Sequence, residues 1–231
     1  MSDADFESRL KEYLELAESQ PELFANPPDG VRILLDPAEV AAVEHSVARD
    51  LAARNLPPEG AHVGVVFRDP WFYVIRDAVE FANGARRMHA RVMNRVNNGS
   101  AVLPMIGEKI VLVRHFRHPL RRAILEIPRG GIEAGQSPED AARAEIREEI
   151  GGAIRRIESI GFVYGNTNLY GNGAHLFFAE LDSVGMPQIG EGVASIEQFT
   201  VAEFEELLRQ GQILDAFTVA AYTQARLRRL I

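Results

Sequence analysis

The alternation of apolar and polar residues divides the chain into a helical beginning, a strand-rich middle and a helical end. Apolar residues recur at helical spacing within residues 4–18, which predicts a short amphipathic helix. Asp36 and Pro37 supply an N-cap and a first-turn proline, so a second helix is expected to begin there. It should end before Pro57, because two successive prolines cannot continue a helix.

The middle of the chain has runs rich in Val, Ile, Phe and Tyr, separated by turn residues, which is typical of antiparallel strands. These runs are residues 62–67, 71–75 and 88–96, with turns at Asp69-Pro70 and Asn83-Gly84. A hairpin is predicted next, and a further strand-like stretch follows it, at residues 101–104, 109–114 and 157–181.

The end of the chain returns to helical spacing. A helix is predicted over 201–209 with Gly211 as its terminator, and another from about Asp215 onward. This order of elements indicates an α+β protein or a layered α/β/α arrangement. The polar run 97–100 marks the predicted boundary between an N-terminal domain, 1–97, and a second domain, 98–231.

Composition narrows the classes of function. The chain has 231 residues, 46% of them hydrophobic, and a formal net charge of -8, which disfavours binding to a nucleic-acid polymer. It contains no cysteine, which excludes disulfides, Cys-ligated zinc and thiol nucleophiles. No apolar run approaches the roughly 20 residues that a membrane helix needs. We therefore expect a soluble, cytoplasmic protein that does not bind membranes.

The segment that carries candidate chemistry runs from Glu126 to Gly151 and joins a glycine-rich loop to a helix. Ser137 is a good N-cap, and Gly151 supplies a left-handed stop. Asp140 occupies the position from which a capping-box acid reaches back. The glycines of the loop allow the main chain to approach a ligand closely, beside the positive end of the helix dipole.

Three glutamates of this helix lie side by side when residues are turned at about 100° each. Ala142, Ile146 and Ile150 form the stripe that should face the core, and Glu145, Glu148 and Glu149 form the adjoining arc. Like charges at this spacing repel, and a divalent cation such as Mg²⁺ would relieve that repulsion. The alternative interpretation is an ordinary solvated acidic face.

Aligned from Gly130, the segment resembles the Nudix box, G-x5-E-x7-R-E-U-x-E-E-x-G-U, where U is a bulky apolar residue. The helix positions match, namely Glu145, Ile146, Glu148, Glu149 and Gly151. The flanking stretches 114–119 and 125–130 resemble the ADP-ribose pyrophosphatase branch. Three positions depart from the box: Gln136 replaces an acid, Ala144 replaces an arginine, and Gly152 replaces an apolar residue. Because Gln136 and Ala144 are both neutral, they form a compensated change that leaves the metal site intact in our interpretation.

The resemblance implies a Nudix α/β/α sandwich with an N-terminal helical and antiparallel-strand extension. It implies hydrolysis of a nucleoside diphosphate linked to another moiety, of the ADP-ribose or nucleotide-sugar type. Mg²⁺ is the expected cofactor, with Mn²⁺ equally acceptable to oxygen ligands. The implied partners are the small-molecule substrate and a second copy of the chain, because the N-terminal strands of that branch pair in a homodimer.

By family analogy, the expected metal ligands are Glu145, Glu148, Glu149 and the carbonyl of Arg129. The expected substrate-binding residues are Arg117, Glu126, Gly130 and Gly131. Glu191 is the candidate general base, with Glu180, Asp182 and Glu197 as rivals. Basic and aromatic side chains are further candidates for contacting a phosphate or stacking on a base, namely Arg114, His115, His118, Trp71, Phe72, Tyr73 and Tyr164.

Other functions stay open at this point. Gln136 and Ala144 would also suit a catalytically impaired Nudix-fold module that only binds a ligand or regulates. An isoprenoid-diphosphate isomerase on the same fold relies on a cysteine, which this chain lacks. An enzyme that removes damaged nucleoside triphosphates fits the context of residues 127–130 less well. The absence of a recognisable acid-terminated loop near residues 164–167 counts against ADP-ribose itself as the substrate.

Overall fold

The chain forms two units, each with a hydrophobic core of its own. The computed structural model describes residues 3–95, 98–186 and 192–231. One unit comprises Met1–Arg95 with the short segment Asn168–Gly171, and the other comprises Val96–Thr167 with Asn172–Ile231. The roles assigned to residues 1–97 and 98–231 as separate domains stay predictions.

The N-terminal unit combines two helices with a four-stranded antiparallel sheet. Its elements are α1 (Asp3–Ser19), β1 (Arg32–Ile33), α2 (Pro37–Ala53), β2 (Gly64–Arg68), β3 (Phe72–Glu80) and β4 (Arg86–Asn94). Strand β3 is central, with β4 along one edge and β2 and β1 sharing the other. The start of α2 is confirmed, because the Asp36 side chain accepts hydrogen bonds from the N–H groups of Ala38 and Glu39.

A buried charge network ties this unit together. The Tyr13 hydroxyl donates to Asp77 Oδ1 at 2.6 Å, and Arg91 Nε donates to Asp77 Oδ2 at 2.6 Å. Asp77 is buried, but its charge is paired and both of its carboxylate oxygens are hydrogen-bonded. Without these partners, burial of the charge would be costly. The network links α1 to the sheet through side chains 64 residues apart in sequence.

The second unit is larger and contains the glycine-rich loop and its helix. Its elements are β5 (Gly99–Ile106), β6 (Lys109–Arg117), β7 (Arg122–Glu126), β8 (Arg129–Gly131), α3 (Pro138–Ile150), β9 (Ala153–Tyr164), β10 (Gly173–Ser183), β11 (Val193–Thr200), α4 (Val201–Arg209) and α5 (Ala216–Leu227). Strands β11, β6, β5, β10 and β9 follow one another in the sheet, and β5 and β10 are parallel.

Helices cover both faces of this sheet. One face packs against α3 through a core that includes Val102, Phe177 and Ile146. The other face packs against α4 and α5 through a core that includes Leu103, Phe178 and Phe204. Alternate residues of β5 and β10 enter opposite cores, as the two-residue period of a strand requires. The predicted α/β/α sandwich is confirmed.

The divergence of β5 and β6 creates the place where β7 and β8 sit. The two strands pair only near their shared turn, at Met105 with Ile110 and at Ile106 with Lys109. Further along, β7 pairs with the end of β6 and β8 with the beginning of β5. The short link from β7 to β8 therefore brings Glu126 and the glycine-rich loop to one place in the sheet.

The strand-like segment predicted at residues 157–181 forms parts of two strands, β9 and β10. Strand β11 lies where no strand was predicted, and its Val193–Thr200 backbone pairs with β6. Among the helices that the structure describes, none is long and apolar enough to cross a membrane.

Candidate active site

Helix α3 is fixed at both ends by the residues that predicted it. Ser137 Oγ accepts the N–H of Asp140 at 3.1 Å, and Gly151 ends the helix in the left-handed conformation with φ 56°. Asp140 does not reach back to the Ser137 backbone; its Oδ2 accepts the Ser137 hydroxyl at 2.6 Å. A Cβ on Gly152 would lie 2.8 Å from Ile146 Cγ2, which accounts for glycine at this apolar box position.

Glu149 and Glu145 meet the glycine-rich loop from the helix side. Glu149 is 3% exposed, and its Oε2 accepts the backbone N–H of Arg129 at 3.3 Å. The Glu145 carboxylate lies directly over Gly130, where a Cβ would overlap its Oε1. Gly130 pairs with Ser100, and Gly131 pairs with Gly99, so β5 holds the loop in place beneath the helix.

These two carboxylates repel each other. Burial and, after it, the nearby Glu145 charge raise the pKa of Glu149 to about 8, although Arg117 opposes the shift. Glu148 lies on the same helix and is partly exposed. A pair of close carboxylates, one of them deeply buried, is the electrostatic situation that a bound cation relieves.

Glu126 is the second buried acid of the site, with a fully buried side chain. It forms ion pairs with Arg117 and with Arg129, whose Nη2 lies 3.4 Å from Oε2. Burial raises the pKa of Glu126, and the two guanidinium groups oppose this shift. Because Glu126 Oε1 and Arg117 Nη2 lack aligned hydrogen bonds, their contact is an ion pair with unused hydrogen-bonding capacity.

Arg129 connects Glu126 to the start of α5. Its Nη2 lies 3.6 Å from Asp215 Oδ1, and its guanidinium stands 5.4 Å from the ring centre of Phe217. Sequence reasoning identified Asp215 only as the start of a helix and did not single out Phe217. Both lie more than 80 residues from Arg129, so only the fold reveals the contact.

His115 lies between the two buried acids. Its Nδ1 is 3.3 Å from Glu126 Oε1 and 3.7 Å from Glu149 Oε1, and its side chain is 11% exposed. Burial lowers the pKa of His115 to about 4, and the charges of Arg117 and Arg129 lower it as well. The imidazole is therefore neutral at pH 7.

Several predicted site residues lie elsewhere or are engaged by other groups. Glu191 lies outside the described residues. The rival acids form ion pairs: Glu197 with Arg114 at 2.7 Å, Glu180 with Arg156 at 3.2 Å and Asp182 with Arg155 at 2.7 Å. Of the candidate aromatics, Tyr73 is buried and Trp71 is exposed, both in the N-terminal unit. Tyr164 is exposed in the second unit.

The residues fit a hard divalent cation through their chemistry, although the side chains do not form a ready-made cluster. Among the residues described, no group of three or more His, Asp or Glu side chains is arranged to hold a metal ion. Glu145 and Glu149 nevertheless offer carboxylate oxygens beside a glycine loop that lets the backbone approach. Oxygen ligands of this kind are those that Mg²⁺ and Mn²⁺ accept.

The positions that depart from the Nudix box have local explanations. Gln136 Oε1 accepts the backbone N–H of Glu133 at 3.0 Å, so this side chain stabilises the turn before α3. Ala144 is half-buried on α3. Neither change removes a carboxylate from the Glu145 and Glu149 pair.

Comparison with known proteins identifies the family. Residues 96–218 match the model of the NUDIX domain, which is more than half of the chain. An ADP-ribose pyrophosphatase from Bacillus subtilis (strain 168) is 30% identical over 154 residues, covering 65% of this chain and 82% of that protein. A methanol dehydrogenase activator from Bacillus methanolicus is 27% identical over 158 residues, covering 66% and 83%.

A solved structure described as an ADP compounds hydrolase has the same fold. Its TM-score is 0.60 at 23% identity, and the match covers 70% of this chain and 88% of that one. The family match, the helix glutamates beside the glycine loop and the sandwich around them agree with one another. The chain thus belongs to the Nudix family and is a Nudix hydrolase that resembles ADP-ribose pyrophosphatases.

Proposed function

We propose that this hydrolase cleaves the pyrophosphate bond of a nucleoside diphosphate linked to another moiety, and that it requires a divalent metal ion. The products are a nucleoside monophosphate and the phosphorylated second moiety. The observation that carries the proposal is the acid pair of Glu145 and the buried Glu149 beside Gly130, next to Arg117 and Arg129. The acids can hold a metal cation and the arginines are cationic themselves, so both sets of side chains suit a substrate whose diphosphate carries two negative charges.

Each group has a separate part in this reaction. Glu145, Glu149 and the Arg129 carbonyl would hold the metal, with Glu148 assisting from the same helix. The metal would supply positive charge that neutralises the diphosphate and lowers the pKa of the attacking water. Gly130 and Gly131 leave room for the substrate to approach the backbone. Arg117 would orient the phosphates, because a guanidinium matches phosphate geometry with two parallel hydrogen bonds. Glu126, which forms an ion pair with Arg117, would hold that guanidinium in place.

An ADP-ribose or nucleotide-sugar type of compound is the proposed substrate class. Support comes from the Bacillus subtilis relative, which is named as an ADP-ribose pyrophosphatase. The ADP compounds hydrolase NudE of Escherichia coli (strain K12), 29% identical over 94 residues, points to the same class. Both names describe molecules with an adenosine diphosphate linked to a second group.

A panel assay tests the proposal. The protein is incubated with Mg²⁺ or Mn²⁺ and with ADP-ribose, nucleotide sugars, dinucleotides or nucleoside triphosphates. The products are separated and identified by mass spectrometry. We expect a monophosphate plus a phosphorylated partner from at least one linked diphosphate, and no product in EDTA. Release of inorganic pyrophosphate from triphosphates alone would contradict the substrate class. Binding without hydrolysis of any compound would favour a regulatory module instead.

Glu191 is the proposed general base. It is an acid in a stretch with glycine on both sides, well after the helix in sequence. Proton transfer to a positioned side chain contributes about 10²–10⁴-fold to a rate. The Glu191→Gln variant should therefore lose at least about 100-fold in kcat while Mn²⁺ binding is retained. Activity close to that of the parent protein would remove this assignment.

A homodimer is the proposed assembly. In the N-terminal unit, the Phe67 and Phe72 rings stack with centres 5.2 Å apart, and Trp71 beside them is 73% exposed. Exposed aromatic surface of this kind favours contact with another protein. Light scattering should give twice the 25.6 kDa of one chain, and a Trp71→Glu variant should shift towards the single-chain mass. A single-chain mass for the parent protein would contradict the proposal.

A further inference from the structure

His115 is a largely buried imidazole that the proposed reaction does not use. Strand β6 fixes its backbone between two neighbours, since His115 pairs with Ile124 of β7 and with Val193 of β11. A Cβ at Gly192 would lie 3.2 Å from His115 Nε2, so the backbone of Gly192 closes against that edge of the ring. The ring presents its Nδ1 edge to the acids.

The atoms opposite Nδ1 are carboxyl oxygens of two acids. Glu126 Oε1 lies at 3.3 Å and Glu149 Oε1 at 3.7 Å. His115 Nδ1 and Glu126 Oε1 are both buried without an aligned hydrogen bond, which is costly for each of them. Once ionised, a carboxylate oxygen can only accept, so Nδ1 must then carry a hydrogen whatever the charge of the ring.

The other oxygen of Glu149 is already fixed, because Oε2 accepts the Arg129 N–H at 3.3 Å. With the imidazole beside Oε1, a polar group stands at each oxygen of the carboxylate, which restricts rotation about the last side-chain bond. Groups that hold the ligands of a metal commonly act in this way, and their loss lowers metal affinity or activity about 10–100-fold.

We propose that His115 is a positioning residue, whose Nδ1–H holds the Glu149 carboxylate in the orientation that binds metal and also contacts Glu126. This inference rests on the proposed function, because it assigns Glu149 to the metal. It concerns the orientation of an acid rather than proton transfer to the substrate. His115 therefore acts through Glu149 and does not touch the reacting atoms.

The first test uses the metal-free parent protein above pH 8, where the Glu149 carboxyl has lost its proton. Nitrogen-15 NMR of labelled histidine distinguishes a ring that carries its hydrogen on Nδ1 from one that carries it on Nε2. We expect the His115 signals of a ring protonated at Nδ1. A hydrogen on Nε2 alone would overturn the inference, because Nδ1 would then face the carboxylates as an acceptor.

The second test compares His115→Leu with His115→Asn. Asparagine places its amide nitrogen near the position of Nδ1, whereas leucine fills similar space without a donor. The leucine variant should bind Mn²⁺ about 10–100-fold more weakly in the absence of substrate, as measured by electron paramagnetic resonance. Its kcat should fall similarly while KM for the substrate changes little. The asparagine variant should recover most of both losses.

Equal impairment of the two variants, or no impairment of the leucine variant, would overturn the inference. His45→Leu, an exposed histidine on α2, is the matched control and should leave both readouts unchanged. If His115→Leu fails to fold, His115→Gln replaces it, because glutamine carries its amide one bond further out. Parent protein that neither binds Mn²⁺ nor hydrolyses the panel would remove the proposed function, whereas the NMR result decides the role of His115 independently.

Discussion

At Gly130 the absence of a side chain leaves room for the Glu145 carboxylate. A Cβ there would lie 2.6 Å from Glu145 Cδ, well inside the distance at which two carbon atoms can coexist. The loop glycine and the helix acid therefore depend on each other, although they are 15 residues apart in sequence. This dependence gives a physical reason for the spacing of glycine and glutamate in the motif.

Gly130→Ala should displace the Glu145 carboxylate and lower kcat/KM about 100-fold, because a shift of about 1 Å at a reacting group can have that effect. Thermal unfolding by circular dichroism should show that the fold is retained. Gly107→Ala is the control, since its Cβ would meet nothing within 4 Å. It should cost stability, because Gly107 has φ 59°, but leave activity intact. Parent-level activity in Gly130→Ala would refute the arrangement.

Glu149 should make the metal-free protein less stable as the pH rises. Its pKa is raised from 4.5 to about 8, so between these values the folded state keeps a proton that the unfolded state has lost. The folded state then binds more protons, and the free energy of unfolding falls with rising pH. Glu149→Gln lacks this effect. In EDTA, the variant should gain stability relative to the parent from about pH 5 to about pH 8.

Urea unfolding at several pH values measures this difference. Addition of Mg²⁺ should reverse it at pH 8, because the parent carboxylate then has a cation partner and the variant lacks one ligand. A difference between variant and parent that stays constant from pH 5 to pH 8 would contradict the raised pKa of Glu149.

Sequence alone could identify the helix acids but not the groups that surround them. Glu145 and Glu149 follow from helical spacing, which is a local property. His115 was assigned to a general basic cluster, and Asp215 only to a helix start. Their contacts with Glu126 and Arg129 depend on the pairing of distant strands and on the docking of α5, which no local pattern specifies.

Among the elements, helix ends were predicted best. The predicted caps Asp36, Ser137 and Gly151 act through hydrogen bonds to residues nearby in sequence, so the sequence contains the whole signal. Strand β8 is a three-residue element with two glycines, and its residues form a strand only because β5 lies beside them. Strand β11 was missed for the same reason, since its partner β6 is about 80 residues away.

Ser137→Ala should destabilise the protein by about 1 kcal/mol, the usual cost of losing an N-cap. Thr200→Ala removes the N-cap of α4 and should cost a similar amount. Urea unfolding measures both. Activity should stay near the parent value in both variants, because Glu145 lies two turns into α3 and Ser100 Oγ still donates to Pro138 O at 2.7 Å. A loss in Ser137→Ala as large as that in Gly130→Ala would show that the cap, rather than the loop, sets the acid geometry.

At the scale of the whole molecule, the order of elements was sufficient to predict layers, and the motif resemblance predicted the sandwich. The sequence did not predict that the segment Asn168–Gly171 belongs to the N-terminal unit. There Val92 donates its N–H to the Leu169 carbonyl at 2.8 Å, and the Gly171 N–H donates back to the Val92 carbonyl at 3.2 Å. Such long-range backbone pairing leaves no composition signal in a short loop.

Divalent metal should stabilise the folded chain as a whole. A ligand that binds only the folded state adds about 2.7 kcal/mol when its concentration is a hundred times its Kd. Calorimetry should therefore show a higher Tm in Mg²⁺ or Mn²⁺ than in EDTA for the parent protein. A protein carrying both Glu145→Gln and Glu149→Gln should show no such shift. An equal shift in the double variant would place metal binding at another part of the chain.

Our main proposal is that Glu149 belongs to a metal-binding acid pair that drives pyrophosphate hydrolysis. It is tested most directly by the turnover of Glu149→Gln on the best substrate of the panel. Saturating Mg²⁺ and matched protein concentrations make kcat comparable with that of the parent. We predict a loss of about 100-fold or more, because one charged ligand at the reacting centre is removed. Turnover equal to that of the parent, or parent turnover that persists in EDTA, would contradict it.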